Sequence, residues 1–291
     1  MTPDRVAALL AEVGERVDPR ALVVERRDWR WFVQLPGDRM LFVPVDEAGA
    51  HRLAAERRLL AALAPRLSFA VPRPIGPPEA ALDLRTRVRG ETGIHLHGSL
   101  ITHTPDAYAD DLARLLAELH GAFARDELVR LAPPMRADVY PLPEAQLRAV
   151  VASLPAEIHA RVHAALDRYA ELAPTDSVLV HNDIGTHNLA FDPDSHRVIG
   201  IFDFEEAAHG DRHHDAKYLP SYGPRITARV LELYRDRTGI ELDVPRIRLL
   251  HFATALSFWV WRESDPVAHD TRSSRDRDQA LAWIGLALFA L

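Results

Sequence analysis

The residues best equipped for chemistry lie in two short stretches, His181-Asn182-Asp183-Ile184-Gly185-Thr186-His187-Asn188 and Ile199-Gly200-Ile201-Phe202-Asp203-Phe204-Glu205. Each holds polar groups directly beside a short apolar run, the place where a rigid strand presents side chains from a loop. Asp183 and Asn188 stand five residues apart, and both asparagines of the chain, Asn182 and Asn188, fall in the first stretch. A carboxylate, an amide and a second carboxylate in this order suit phosphoryl transfer, which needs positioning and charge neutralisation more than covalent help. Asp183 is the candidate for orienting an attacking hydroxyl and accepting its proton. Asn188 and Asp203 are candidate ligands for magnesium, which takes oxygen donors and keeps waters, so two protein ligands suffice beside phosphates. Asp and Asn singly are ordinary turn and cap residues; the joint, ordered pattern is what favours chemistry.

In its surroundings the pattern resembles the "HGDLHPGN…VIDFE" signature of the aminoglycoside phosphotransferase and choline kinase superfamily, and protein kinases use the same order. Gly210-Asp211-Arg212-His213-His214-Asp215 resembles that superfamily's "GDPAYDLA", and Tyr222-Gly223-Pro224 its "YG". Leu115-Leu116-Ala117-Glu118-Leu119-His120 is similar to its "LxxLH" helix, and Arg89-Gly90-Glu91 to its connector between lobes. The similarity runs from about residue 20 to residue 262 and is denser in the second half. It implies an α+β, two-lobed protein-kinase-like fold, with Asp183 as catalytic base and Asn188 and Asp203 as ligands of Mg2+. It further implies His181 as a brace of the catalytic loop, and a connector around Arg87 and Gly90 lying against the base of ATP or GTP. The acceptor would be a hydroxyl of an aminoglycoside-like antibiotic or related metabolite, which makes antibiotic resistance the implied role.

Two departures stand out. Ile184-Gly185-Thr186-His187 replaces the usual filler of the catalytic loop while keeping its spacing, and Met40-Leu41-Phe42-Val43-Pro44 puts Phe42 where the family usually has a phosphate-binding cation. The turn Arg26-Arg27-Asp28-Trp29, which would cover the nucleotide, holds no glycine. Lys217 is the only lysine and lies far along the chain, so an arginine has to serve. Alternate strand residues share a face, so Arg39 points away from Phe42 while Arg30, in the preceding strand, can reach across. Glu56 falls within an apolar helical stripe, where a carboxylate needs a partner, and Arg30 is its candidate. Phe42 also motivates an alternative: a catalytically impaired pseudokinase that only binds a nucleotide or ligand.

Glu205 and Glu206 follow Asp203 directly and predict an anionic substrate site for an acceptor bearing amines, with Glu263 and Asp265 as later acidic candidates. A competing arrangement would gather His181, Asp183, His187, His209, Asp211, His213 and His214 around a metal as in a hydrolase. Trp259 and Trp261 cannot both face one way on a helix, which predicts that one lines a pocket. A net charge of −7 speaks against an extended nucleic-acid surface. The chain has no cysteine, no leader-like N-terminus and no run of membrane-spanning length, so a cytoplasmic protein with no membrane partner is expected.

The elements that must position these residues follow from periodicity and turn signals. The spacing of Val6, Leu9, Leu10, Val13 and Val17 predicts a first helix. Strands are expected over Ala21–Glu25, Trp29–Leu35, Met40–Val45 and Leu82–Val88, with a turn at Pro36-Gly37-Asp38 and a helix over Ala48–Leu63. Val71–Pro78 is a proline-rich passage. Beyond a connector at Arg89–Gly93, helices are expected over Ala107–Phe123 and Ala156–Leu172. Short strands then fall at Val178–Val180, Leu189–Phe191 and Val198–Phe202, and the chain reads as helical from Pro224 onward. A first lobe over residues 1–88 and a second over 89–291, with a cleft between them, is the expected organisation.

Overall fold

Alternation along the first strands decides how the N-terminal part is built. The computed structural model describes residues 1–291 apart from 28, 78, 79, 81, 174 and 265–272, and only the backbone of Ile94 and of 273–276. Asp28, Pro78 and Asp265, named above, therefore lie outside the described residues.

Helix α1 (Pro3–Glu12) starts on a Thr2 cap, whose hydroxyl accepts from the Arg5 amide, and has Pro in its first turn. It ends earlier than its apolar spacing predicts, because Gly14 turns left-handed at φ 83° and leaves Val13 exposed. Strands β1 (Val23–Arg27), β2 (Arg30–Leu35), β3 (Arg39–Pro44) and, after helix α2 (Glu47–Leu63), β4 (Asp83–Thr86) form one antiparallel sheet in that order. Phe32 pairs with Phe42, Phe42 with Asp83 and Met40 with Arg85. Directly paired residues share a face. One face thus carries Val33, Leu35, Leu41 and Leu84, which pack on Val6 and Leu10 of α1. The other carries Arg30, Phe32, Met40, Phe42 and Arg85 and lines a cleft. Asp46 caps α2 by accepting from Gly49, and the helix buries Leu53, Glu56, Leu60 and Leu63 in one stripe.

The larger lobe opens with α3 (His97–His103), α4 (Pro105–Gly121), α5 (Arg125–Leu131), α6 (Glu144–Ala149) and α7 (His159–Ala170). Two small antiparallel ladders follow, β5 (Val178–Val180) with β8 (Ala208–Gly210) and β6 (Leu189–Phe191) with β7 (Val198–Ile201). The chain closes with α8 (Pro224–Thr238), α9 (Val244–Ser264) and α10 (Ser273–Phe289). Helix α4 presents Leu112, Leu115, Leu116 and Leu119 to the core that α8 completes with Ile226, Val230 and Tyr234. Helices α3, α5 and α6 are too short for a periodic signal, and no sequence expectation covers them.

The lobes are joined by backbone pairing as well as by the connector. Glu91 and Phe191 exchange amide–carbonyl bonds at 2.8 Å each way, and Ala70 does the same with Ile199 and Ile201. Among the described residues no helix is long and apolar enough to cross a membrane.

Candidate active site

The catalytic loop hangs from β5 by a buried carboxylate. Asp215 accepts the amides of His181 (3.0 Å) and Asn182 (2.6 Å) and pairs with His120 at 3.3 Å. Burial would raise the Asp215 carboxyl, but the His120 bond and charge outweigh it and hold it down. His181 is fully buried: its Nε2 donates to the Phe202 carbonyl (2.9 Å) and its Nδ1 accepts the Asp183 amide (3.3 Å). Its ring thus ties the loop to the strand end that carries Asp203. Asn182 adopts φ 67°, a left-handed conformation that asparagine tolerates. Lys217 is fully buried beneath it and donates to the Asn182 carbonyl, the Asn182 amide oxygen (3.2 Å) and the Tyr140 carbonyl (2.7 Å).

Asp183 is held in one orientation by three donors. Its Oδ2 accepts from Asn188 Nδ2 (2.7 Å) and His187 Nε2 (3.0 Å), and its Oδ1 from the Tyr218 hydroxyl (2.8 Å). Burial works against its charge, yet the bond and charge of His187, with Lys217 and Tyr218, hold the carboxyl well below the usual range. The same bond raises His187 above the ordinary histidine value against partial burial. Asn188 spends only its NH2 group here, on the Asp183 carboxylate and carbonyl.

Asp203 sits at φ 66°, a left-handed conformation costly for a non-glycine residue and frequent at functional sites. With the single 3-10 turn that follows, it sends successive acidic side chains in three directions. Asp203 faces the cleft under the sheet. Glu205 turns toward α2, where it meets Arg30 at 2.8 Å and lines a small cavity with Trp29, Arg52 and Arg136. Glu206 lines a separate pocket on the far side of Asp183 and accepts from Asn182 Nδ2 at 3.2 Å. Glu205 and Glu206, grouped in sequence as one substrate site, therefore do not share a cavity. Burial, helped by the nearby charges of Asp183 and Glu205 and opposed by Lys217, pushes the Glu206 carboxyl up to about 7.

Across the cleft, Glu56 is buried between two guanidinium groups. Arg30 donates to its Oε2 at 3.0 Å and Arg85 to its Oε1. Burial alone would raise Glu56, but Arg85 and Arg30 reverse the sign and hold it low. Arg30 also reaches across to Asp203 Oδ1 at 2.7 Å, while its Nε is buried without a partner. Each nitrogen of the Arg85 guanidinium donates to Glu56 or Asp83. Phe42 lies between the two, its ring centroid 5.1 Å from the Arg30 guanidinium and 4.5 Å from that of Arg85. Arg39 lies on the opposite face, paired with Glu15, as strand parity requires. Sequence reasoning missed Arg85; its signal is the β3–β4 register, which no local pattern specifies.

Three further expectations change. Arg87 is exposed and lines the cleft with Val88 and Thr92, but Gly90 does not. At φ 125°, a Cβ on Gly90 would stand 2.7 Å from the Phe191 carbonyl, so glycine there permits the connector to pair with β6. Trp259 is core, donating to Ser153, and Trp261 is exposed; the pocket beyond Asp183 is walled by Phe258 and Trp283. The histidines are dispersed: His213 is held by Asp211 and the Asp243 amide, and His209 by Ser177. No group of three or more His, Asp or Glu suited to a metal ion occurs among the described residues.

The cleft under the sheet has a volume of 470 Å³ and is lined by Arg30, Glu56, Asp183, Asn188 and Asp203. The second pocket, of 630 Å³, shares Asp183 and His187 with it. Asp183 thus stands where two cavities meet.

A family model described as a phosphotransferase enzyme family matches residues 14–289. No sequence among the curated proteins compared matches the chain. Among solved structures, the macrolide 2'-phosphotransferase MphH from Brachybacterium faecium is 23% identical with a TM-score of 0.67, each chain being covered to 97%. The GDP and kanamycin complex of APH(2")-IIia is 17% identical with a TM-score of 0.72, over 98% of this chain and 96% of that one. The streptomycin–ATP ternary complex of APH(2")-IIa is 17% identical with a TM-score of 0.64, over 97% of this chain and 98% of that one. At these identities the likeness establishes a shared two-lobed, kinase-like α+β fold.

Proposed function

Because the chain belongs to the phosphotransferase enzyme family, we propose that it transfers the γ-phosphoryl group of ATP or GTP to a hydroxyl of a small molecule. The observation that carries the reading is Asp183, held by three donors at the junction of two cavities. The cleft under the sheet takes the nucleotide and the pocket beyond Asp183 takes the acceptor. The acceptor oxygen bonds to the γ-phosphorus as the bond to the β-phosphate oxygen breaks. The hydroxyl proton passes to Asp183, and the nucleoside diphosphate leaves. A carboxylate that already accepts three hydrogen bonds is a weak base, which suits a transfer whose transition state asks mainly for orientation.

Charge neutralisation falls to Arg30 and to a metal. The unpartnered Nε of Arg30, buried at the cleft wall, supports a phosphate oxygen as its partner. The oxygen donors on the cleft wall fit magnesium: Asp203, with one oxygen taken by Arg30, and the amide oxygen of Asn188, whose NH2 is turned to Asp183. Bound there, magnesium would offset the phosphate charge. His181 and Asp215 keep Asp183 and Asp203 in register. Arg85 supports Glu56 so that Arg30 is not its sole partner.

The test is a coupled assay of NDP release against a panel of hydroxylated antibiotics and metabolites, with ATP and GTP in parallel. Acceptor-dependent release with magnesium is the expected result. Phe42 favours one alternative, a protein that binds nucleotide without turnover. Nucleotide-induced thermal stabilisation with no release for any acceptor would establish that alternative.

A further inference from the structure

Resting on the phosphotransferase reading, the pocket beyond Asp183 narrows the acceptor. Its walls come from four separate parts of the chain: Tyr140, Tyr218 and Tyr222, Phe258 on α9, and Trp283 on α10. The wall is fixed in place. Trp283 donates its indole N–H to His251 Nε2 at 3.0 Å, and His251 Nδ1 donates in turn to the Lys217 carbonyl at 2.7 Å. Tyr222 packs edge-on against Tyr108 at 5.3 Å, and Tyr218 is held by Asp183. Rings locked in this way offer apolar contact at little entropic cost to a ligand with faces of its own.

Among the described residues, the charge in the pocket is sparse. Asp183 and Glu206 are the acidic ones among them that line it, His97 and His187 line it too, and no Lys or Arg among them does. Glu206 already accepts from Asn182 and sits in the field of the buried Lys217. Glu205, which would have supplied a second carboxylate, is committed to Arg30 on the far side of Asp203. Each ammonium brought into such a pocket without a carboxylate partner loses hydration that ring faces offset only in part.

We infer that the acceptor is a bulky alcohol of low charge, with extended apolar surface and at most one amine, held by the Tyr140–Phe258–Trp283 wall rather than by multiple ion pairs. This departs from the expectation of an anionic site for an acceptor bearing amines. Glu206 is left to receive a single amine, if the acceptor has one, close to the hydroxyl presented to Asp183.

Calorimetric titration of the full chain without nucleotide tests this independently of turnover. Kanamycin serves as the polyamine probe and a macrolide bearing one amine as the low-charge probe. The macrolide is expected to bind at least about 30-fold more tightly, with affinity nearly constant between low and moderate salt. Trp283→Leu should weaken macrolide binding roughly tenfold or more. Phe258→Ala should act likewise and serves as the second variant should Trp283→Leu unfold. Tighter binding of kanamycin, strong salt dependence, indifference to both substitutions, or no binding of either probe at millimolar concentration would each overturn the inference. Stabilisation by ATP or GTP with magnesium, read on the same samples, reports on the phosphotransferase reading separately.

Discussion

Removing Arg30 perturbs two quantities at once, and the structure sets the size of each. Its guanidinium is fully buried and bonds Glu56 at 3.0 Å, Asp203 at 2.7 Å and Glu205 at 2.8 Å. Breaking a buried ion pair by deleting one partner costs about 3–5 kcal/mol when the survivor is left alone. Glu56 is not left alone, because Arg85 holds its other oxygen, and Asp203 and Glu205 are partly exposed. Arg30→Ala should therefore cost about 2–3 kcal/mol, below the range for an orphaned charge. Nucleotide binding should lose a charge-assisted hydrogen bond, about 1.5–3 kcal/mol. That is roughly a 10- to 150-fold rise in Kd. Thermal denaturation reads the first quantity, and titration with magnesium and ATP or GTP reads the second. Arg39→Ala is the control, since Arg39 lies on the opposite face against Glu15, and it should leave nucleotide affinity unchanged. Equal nucleotide affinity in Arg30→Ala and wild type would refute Arg30 as the substitute for the missing cation at Phe42.

Phe42→Lys in the wild type adds a third cation between Arg30 and Arg85 and should destabilise by about 2 kcal/mol. In the Arg30→Ala background that cost should shrink and nucleotide affinity partly return, a coupling that a double-mutant cycle measures directly. Gly90→Ala, at φ 125° and against the Phe191 carbonyl, should cost about 1–3 kcal/mol in thermal stability, a loss absent if the connector can move away. His187 is raised by Asp183, so its stabilising contribution is present below the ordinary histidine value and lost as pH rises through the raised one. Deprotonation removes the positive charge that His187 places on Asp183 Oδ2 and so makes the carboxylate a stronger base. Hence kcat/KM should climb over the same pH interval in which this stabilisation fades, and His187→Gln should flatten the climb.

The catalytic loop was legible because its signals are local. The strands Val178–Val180 and Leu189–Phe191 stand where β-branching and length placed them, and Asp183 and Asn188 lie on the loop between. The Arg30–Glu56 pair was legible as well, from strand parity and the position of Glu56 on a buried stripe. Contacts set by register or by a single dihedral angle were not. Arg85 reaches Glu56 only because β4 pairs with β3 so that Arg85 opposes Met40. Glu205 and Glu206 part company only because Asp203 turns left-handed before a tight turn. The aromatic wall joins Tyr140, Phe258 and Trp283 across more than half of the second lobe, a distance over which periodicity says nothing.

Phosphoryl transfer at Asp183 is tested most directly by following labelled γ-phosphate from ATP or GTP, with magnesium, onto an acceptor in wild type and Asp183→Asn. Label is expected on the acceptor in the wild type. In Asp183→Asn the expected rate is lower by on the order of 10²- to 10⁴-fold with nucleotide affinity little changed. Equal transfer by the two proteins, or label appearing only as free phosphate, would contradict phosphoryl transfer at Asp183.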